Sequence, residues 1–181
     1  MRRRSELDRG ADHRHIQTSI LRLWYTGRMS SDARPLALDD EIRGAIGSAF
    51  DSLNFVTVAY NGDDGWPHVS RRGSTHVYGP QQVAIWVRKR EDGLAKAVET
   101  RPEVTLFHVD IVERGVAYTF YGRGRVTDDP EVADRVFAAA PEGEQAQDPE
   151  RKGIPLIIDL ERVVAQGRRP EQNFVMERNS T

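Results

Sequence analysis

The chain has 181 residues, a net charge of -2, 38% hydrophobic residues and a mean hydropathy of -0.61. That length favours one globular domain with a single core. Its lack of Cys excludes a disulfide framework, a thiolate zinc site and a catalytic thiol. No run approaches the roughly 18 apolar residues of a membrane span, and Arg22 interrupts the apolar segment Ile20–Tyr25. With no export signal in the Arg2-Arg3-Arg4 start, the expected location is cytoplasmic.

Charge is unevenly spread. Residues 1–28 hold seven Arg against three acids, a surplus of +4 that leaves the remainder near -6. Nucleic-acid binders carry a basic fold rather than only a basic tail, so nucleic acid is not an expected partner. Residues 1–37 read as a flexible arm. The expectation is that the physiological start is Met29; the alternative is a genuine arm with a short helix near Ile16–Tyr25.

The folded domain is expected over residues 38–166. An amphipathic helix opens it: Leu38 precedes the cap Asp39, and Ile42, Ala45, Ile46, Ala49, Phe50 and Leu53 recur at helical spacing. Phe55–Tyr60 follows as a strand, and Asn61–Gly65 as a hairpin turn. A polar strand runs from His68 to Val77. Period-two alternation places Ser70, Arg72, Ser74 and His76 on one face and Val69, Arg71, Gly73, Thr75 and Val77 on the other. Such a strand among apolar neighbours needs water, an interface or an anionic ligand, because buried charges are costly unless paired. Gly73 marks a bulge or a close approach.

Val83–Arg88 is the next strand, with Trp86 and Arg88 on one face. Asp92 is placed to cap a helix over Leu94–Arg101, which Pro102 stops. Two strands follow, Val104–Val109 and Val116–Val126. Asp129-Pro130-Glu131 starts a helix with Val132, Ala133, Val136, Phe137 and Ala140 inward. Residues 141–153 read as a polar loop whose acids, Glu142, Glu144, Asp148 and Glu150, are solvated. The closing strand Ile154–Leu160 is expected at a sheet edge because of Pro155, and residues 167–181 as a loose tail. Sequential strands with hairpin links predict a mainly β, α+β fold: a six-stranded antiparallel barrel with flanking helices.

Several stretches, taken in order, carry a resemblance. They are Phe55–Tyr60, Asn61-Gly62 to Trp66-Pro67, Arg72-Gly73-Ser74-Thr75, Ile85-Trp86-Val87-Arg88, Arg101-Pro102-Glu103-Val104, Tyr121-Gly122-Arg123 and Ile157-Ile158-Asp159-Leu160. In this register the chain resembles the flavin-binding split-barrel family of pyridoxamine 5'-phosphate oxidase and its deazaflavin-using relatives, and especially an actinobacterial-type subgroup. The resemblance implies a split barrel, a homodimer, and a cofactor at the subunit interface. That cofactor would be flavin mononucleotide (FMN) or a deazaflavin, with haem the less favoured choice.

The same resemblance places Ser70, Arg71, Arg72, Gly73, Ser74 and Thr75 along the ring and ribityl chain. Trp86 comes beside them, and Arg88, Lys89 and Lys96, with Arg90, at the phosphate. Oxidases of this family carry a basic pair eight or nine residues before the helix-ending Pro, where Leu94 and Gly93 stand here. Phosphate capture therefore falls to Arg88 and its neighbours, or the cofactor is not FMN. For Lys96 the plain reading is a surface helix charge.

Two functional classes follow. One is a flavin- or deazaflavin-dependent oxidoreductase in which the cofactor does the chemistry and no side chain is needed as nucleophile or base. The other is a non-catalytic protein that binds flavin, deazaflavin or haem. His68 and His76, eight residues apart on a continuous strand, would stand about 27 Å apart, too far to share a metal.

Overall fold

In the computed structural model of the chain, residues 33–91 and 93–179 are described. The arm over residues 1–32, the helix near Ile16–Tyr25, the start at Met29 and the cap Asp92 lie outside them. The fold begins earlier than the expected residue 38. Strand β1 (Arg34–Pro35) pairs in parallel with a C-terminal strand, and Leu36 and Leu38 are buried in the core.

Helix α1 (Asp40–Gly47) starts where the cap signal predicts, with Asp39 Oδ1 accepting from Ile42 N at 3.0 Å. Ile42, Ala45 and Ile46 seat it on the sheet. Next come β2 (Val56–Asn61), β3 (Pro67–Arg72), β4 (His76–Gly79) and β5 (Gln82–Val87), then α2 (Gly93–Thr100), β6 (Glu103–Asp110) and β7 (Val116–Val126). The chain ends with α3 (Pro130–Ala139), α4 (Glu142–Gln145), β8 (Ile154–Gly167) and β9 (Phe174–Glu177).

The strands run in the order β1-β9-β8-β7-β6-β2-β3, and a branch from β8 to β5 continues to β4. All pairs except β1–β9 are antiparallel. The sheet does not close, and its curled faces surround the main core. Val56, Val58, Val83, Ile85, Leu106, Tyr118, Phe120, Leu156 and Ile158 alternate inward from five strands. A second cluster lies on the other side of β5 and β8, where Ala84, Trp86 and Ile157 meet Val136 and Phe137 of α3. The unbroken apolar run of β8 thus has a physical cause: both faces of its first half are buried.

Three expectations are corrected. The closing strand is not at an edge. β8 lies between β7 on one side and β5, then β9, on the other. Pro155 is tolerated there because its N and O both face β7 just past the end of that ladder, and its carbonyl accepts from Thr127 N at 3.4 Å. The tail is not loose. Phe174–Glu177 adds a strand beside Arg162–Ala165, and Gln172, itself buried, donates from Nε2 to the Arg114 carbonyl at 2.7 Å.

The third correction concerns the polar strand, which breaks at Gly73-Ser74-Thr75 into β3 and β4. Hydroxyls stabilise the break: Ser74 Oγ donates to the Trp86 carbonyl at 2.9 Å and Thr75 Oγ1 to the Arg72 carbonyl at 2.9 Å. Continuous alternation across it, and the His68–His76 spacing built on it, no longer hold. Strand β3 instead forms one end of the sheet path, paired with β2.

Two glycines mark close approaches. A Cβ on Gly124 would meet Val98 at 2.9 Å, so bare backbone lets α2 lie against β7. A Cβ on Gly122 would meet the Asp159 carbonyl at 2.6 Å, at the register shift between β7 and β8. Neither glycine belongs to a phosphate loop.

Candidate functional site

The break in the polar strand opens a cleft of about 460 Å³, within the range of small-molecule sites. Arg71, Arg72, Gly73 and Ser74 form one wall, and Trp86, Arg88 and Lys89 form a second at the exit of β5. Glu144 and Gln147, from the segment around α4, complete it. Seven of the ten residues expected at the cofactor therefore converge on one cleft. Among the described residues four cations face a single acid there, a field that favours an anionic ligand.

The remaining three stand elsewhere. Ser70 is half-buried and its Oγ accepts from Arg72 Nε at 3.0 Å, orienting that guanidinium. Thr75 is buried and committed to the turn. Lys96 is on an exposed face, paired with Glu91 at 2.8 Å, and that contact raises the ammonium pKa and lowers the carboxyl pKa. Arg90 forms an ion pair with Asp128 at 2.5 Å.

Within the cleft the basic side chains are not equivalent. Arg71 Nη2 donates to the Leu53 carbonyl at 2.8 Å, and its guanidinium lies 4.8 Å from the centre of the Phe55 ring. Leu53 has a left-handed backbone, φ 57°, unusual for a bulky residue. Arg71 thus ties the loop after α1 to β3. Arg88 and Lys89 are exposed, and Arg88 Nη1 lies 3.5 Å from Gln147 Oε1. These two cations are the most available to a ligand.

Trp86 is a buried wall rather than a free stacking surface. It meets Phe137 edge-on at 5.1 Å, and its indole N–H donates to Asp148 Oδ2 at 2.9 Å. Asp148, expected in a solvated loop, is buried. Its carboxylate also accepts from Lys152 N at 3.0 Å and Gly153 N at 2.8 Å. Burial by itself would raise its pKa; the bonds from Trp86, Lys152 and Gly153 outweigh that and hold it below the usual value. Glu144, Gln147 and Asp148 were not legible as site residues, because a polar loop carries no periodicity to show which side chains turn inward.

The described histidines, His68, His76 and His108, stay outside the cleft lining. His68 stacks on Tyr60 and bonds Asp64 at 2.9 Å. His76 Nδ1 lies 3.0 Å from the Ser74 carbonyl, while its Nε2 is buried without a partner. His108 is buried with both ring nitrogens unbonded, although the backbone carbonyls of Asn54 and Ala45 lie near enough to favour a ring N–H. Burial lowers the pKa of both, opposed at His76 by Ser74 and at His108 by Asp110.

Both imidazoles therefore take up protons less readily when folded than when unfolded. Their contribution to stability is complete above the unfolded value near pH 6.5 and falls as pH drops below it. The slope is at most about 1.4 kcal/mol per pH unit for each group. Thermal melts from pH 8 to pH 5 are expected to show a decreasing Tm below pH 6.5, and His76→Gln with His108→Gln a flatter profile. A wild-type Tm constant over that range would contradict the assignment.

Among the described residues no cluster of metal-ligating side chains occurs, and no helix is long and apolar enough to cross a membrane. The residues fit a flavin phosphate through the donors Arg88 and Lys89 beside the bare backbone of Gly73. Among the described residues none offers haem a His ligand within the cleft.

The sequence matches no protein-family model and no curated protein. Solved structures do match. HupZ of Group A Streptococcus is 15% identical with a TM-score of 0.56, over 79% of this chain and 98% of that one. A Clostridium acetobutylicum protein related to general stress protein 26, described as of the pyridoxinephosphate oxidase family, is 13% identical with a TM-score of 0.56, over 77% and 96%. An FMN-binding protein from Syntrophomonas wolfei is 9% identical with a TM-score of 0.54, over 86% and 97%. At these identities the likeness is one of fold. With its forked β8, open sheet and flanking helices, the chain has the split-barrel fold of the pyridoxamine 5'-phosphate oxidase-like proteins.

Proposed function

We infer that the protein binds FMN, or a deazaflavin, in the cleft between the β3–β4 turn and the end of β5, and acts as an oxidoreductase. The observation that carries this is the convergence of Arg71, Arg72, Gly73, Ser74, Trp86, Arg88 and Lys89 on one open cleft. Arg88 and Lys89 would hold the phosphate, with Arg72 held in position by Ser70. Gly73 would allow the ligand close to the backbone, and Trp86 would form the dry wall. A bound flavin or deazaflavin supplies hydride transfer; the protein binds it, orients it and sets the local field. The fold likeness to an FMN-binding protein supports this reading.

A homodimer is part of the proposal. Exposed apolar residues lie beside the cleft on the outer sheet face. Val69 is 66% exposed and Phe107 43%, while the nearby loops present Trp66 at 73% and Val112 at 95%. In register, Arg71, Thr57 and Phe107 form one row across β3, β2 and β6. A second copy covering that face would bring the cleft to the subunit boundary, and sedimentation is expected to give a dimer mass. A cytoplasmic protein with no nucleic-acid partner remains the associated expectation.

The test is an absorbance spectrum of the purified full chain, then titration with FMN, a deazaflavin and haem. Saturable FMN or deazaflavin binding at micromolar affinity or tighter, with reduction by a hydride donor, is the expected result. Binding without redox turnover of any substrate would favour the non-catalytic carrier. No response to either flavin type would overturn the oxidoreductase, and no response to haem as well would overturn both.

A further inference from the structure

The carboxylate of Glu144 has a placement that packing alone does not explain. Among the described residues it is the one acid in a cleft lined by Arg71, Arg72, Arg88 and Lys89. It is half-buried, yet has no hydrogen bond or ion pair to another described residue. Its Oε1 fills the space that a Cβ on Gly73 would take. The bare backbone at Gly73 thus makes room for an oxyanion among cations, and an internal carboxylate occupies that room.

The segment carrying Glu144 is tied on either side of it. Gly143 packs so closely on Phe50 that a Cβ would come within 2.6 Å of the ring. Gln145 Nε2 donates to the Ala140 carbonyl at 2.7 Å, and Asp148 is anchored by Trp86. Between these anchors no hydrogen bond or ion pair to a described residue holds the Glu144 side chain, and moving it aside needs rotamer changes rather than a backbone shift.

We propose that Glu144 is a tethered stand-in for the anionic group of the ligand, held in the anion position of the cleft and displaced when phosphate arrives. This deepens the function proposed above and rests on its reading of the cleft as an anion-accepting site. Glu144 then sets the charge a ligand needs. A phosphate dianion outcompetes one carboxylate for the same cations, and a neutral group does not.

The test is calorimetric titration of pyrophosphate into the full chain, its Glu144→Gln variant and a Glu142→Gln control, with FMN titrated in parallel. Glu142 is exposed on the same short helix and outside the cleft lining. Glu144→Gln is expected to bind pyrophosphate about tenfold tighter than wild type, with Glu142→Gln unchanged. Equal affinity in all three, an equal gain in both variants, or no pyrophosphate binding by wild type and Glu144→Gln would overturn the proposal. A selective gain for pyrophosphate without FMN binding would uphold Glu144 and sink the flavin reading. FMN binding unaffected by Glu144→Gln would do the reverse.

Discussion

Asp148→Ala is expected to lower stability by about 3 kcal/mol, or roughly 6–12 °C in Tm for a domain of this size. The carboxylate serves the Trp86 indole N–H and the backbone N–H groups of Lys152 and Gly153, all within 3.0 Å. Removing it leaves these donors unpaired beside a buried ring and releases the return of the chain into β8. Gly153 has no slack to adjust, since a Cβ there would lie 2.5 Å from the Val87 carbonyl. Asp148→Asn keeps an acceptor and should fall between wild type and Ala; Glu150→Ala, on an exposed side chain, should change little. Denaturant titration measures all three, and a loss below about 1 kcal/mol for Ala would show that Asp148 is not an anchor.

The pH dependence of this anchor has a definite sign. Its pKa is lowered on folding, so its stabilisation is present above the unfolded value near 3.8 and is lost as pH falls through the lower folded value. The Asp148 anchor should therefore survive the acid range in which His76 and His108 already weaken the fold. Two separate phases of acid destabilisation are expected.

Arg88→Ala combined with Lys89→Ala is expected to weaken FMN binding by about 100-fold while leaving stability within roughly 0.5 kcal/mol. Both side chains are exposed at the exit of β5, and neither supports the core. Two charge-assisted bonds to a phosphate are together enough for a loss of that size. Arg71→Ala should behave in the opposite way. It removes the bond to the Leu53 carbonyl and the contact with Phe55, costing about 1 kcal/mol of stability with a smaller effect on affinity. Fluorescence titration and chemical denaturation of the two variants separate these roles. Equal FMN affinity in the double variant and wild type would move the phosphate out of this cleft.

Local signals were legible where one face of an element is buried or one residue has a fixed job. Asp39 capping α1, Asp129 with Pro130 opening α3, and the alternation of Val56, Val58 and Tyr60 all appear in the fold as their pattern implied. The Arg72–Ser74 stretch, which lines the cleft, was legible as a candidate site for a different reason: charged and small residues among apolar strands are costly unless something uses them. Arg88 and Lys89 joined it by lying just past a buried strand. The sequence by itself therefore determined the order of elements from α1 to β8, apart from α4 and the break in the polar strand, together with the core faces and most of the cleft's basic wall.

Tertiary structure decided the rest. Pro155 reads as an edge signal until β8 is seen to outlast β7, which leaves its missing N–H where no ladder bond is required. Phe174–Glu177 is short and weakly patterned, and becomes a strand because β8 offers it a free edge beyond β5. The break at Gly73 depends on hydroxyls meeting carbonyls of Trp86 and Arg72, which alternation does not show. Glu144 and Asp148 look identical in a polar loop. Only the packed position of Trp86 and Gly73 makes one an anchor and the other the acid in the cleft, because long-range contacts, not local propensity, decide which polar side chain faces inward.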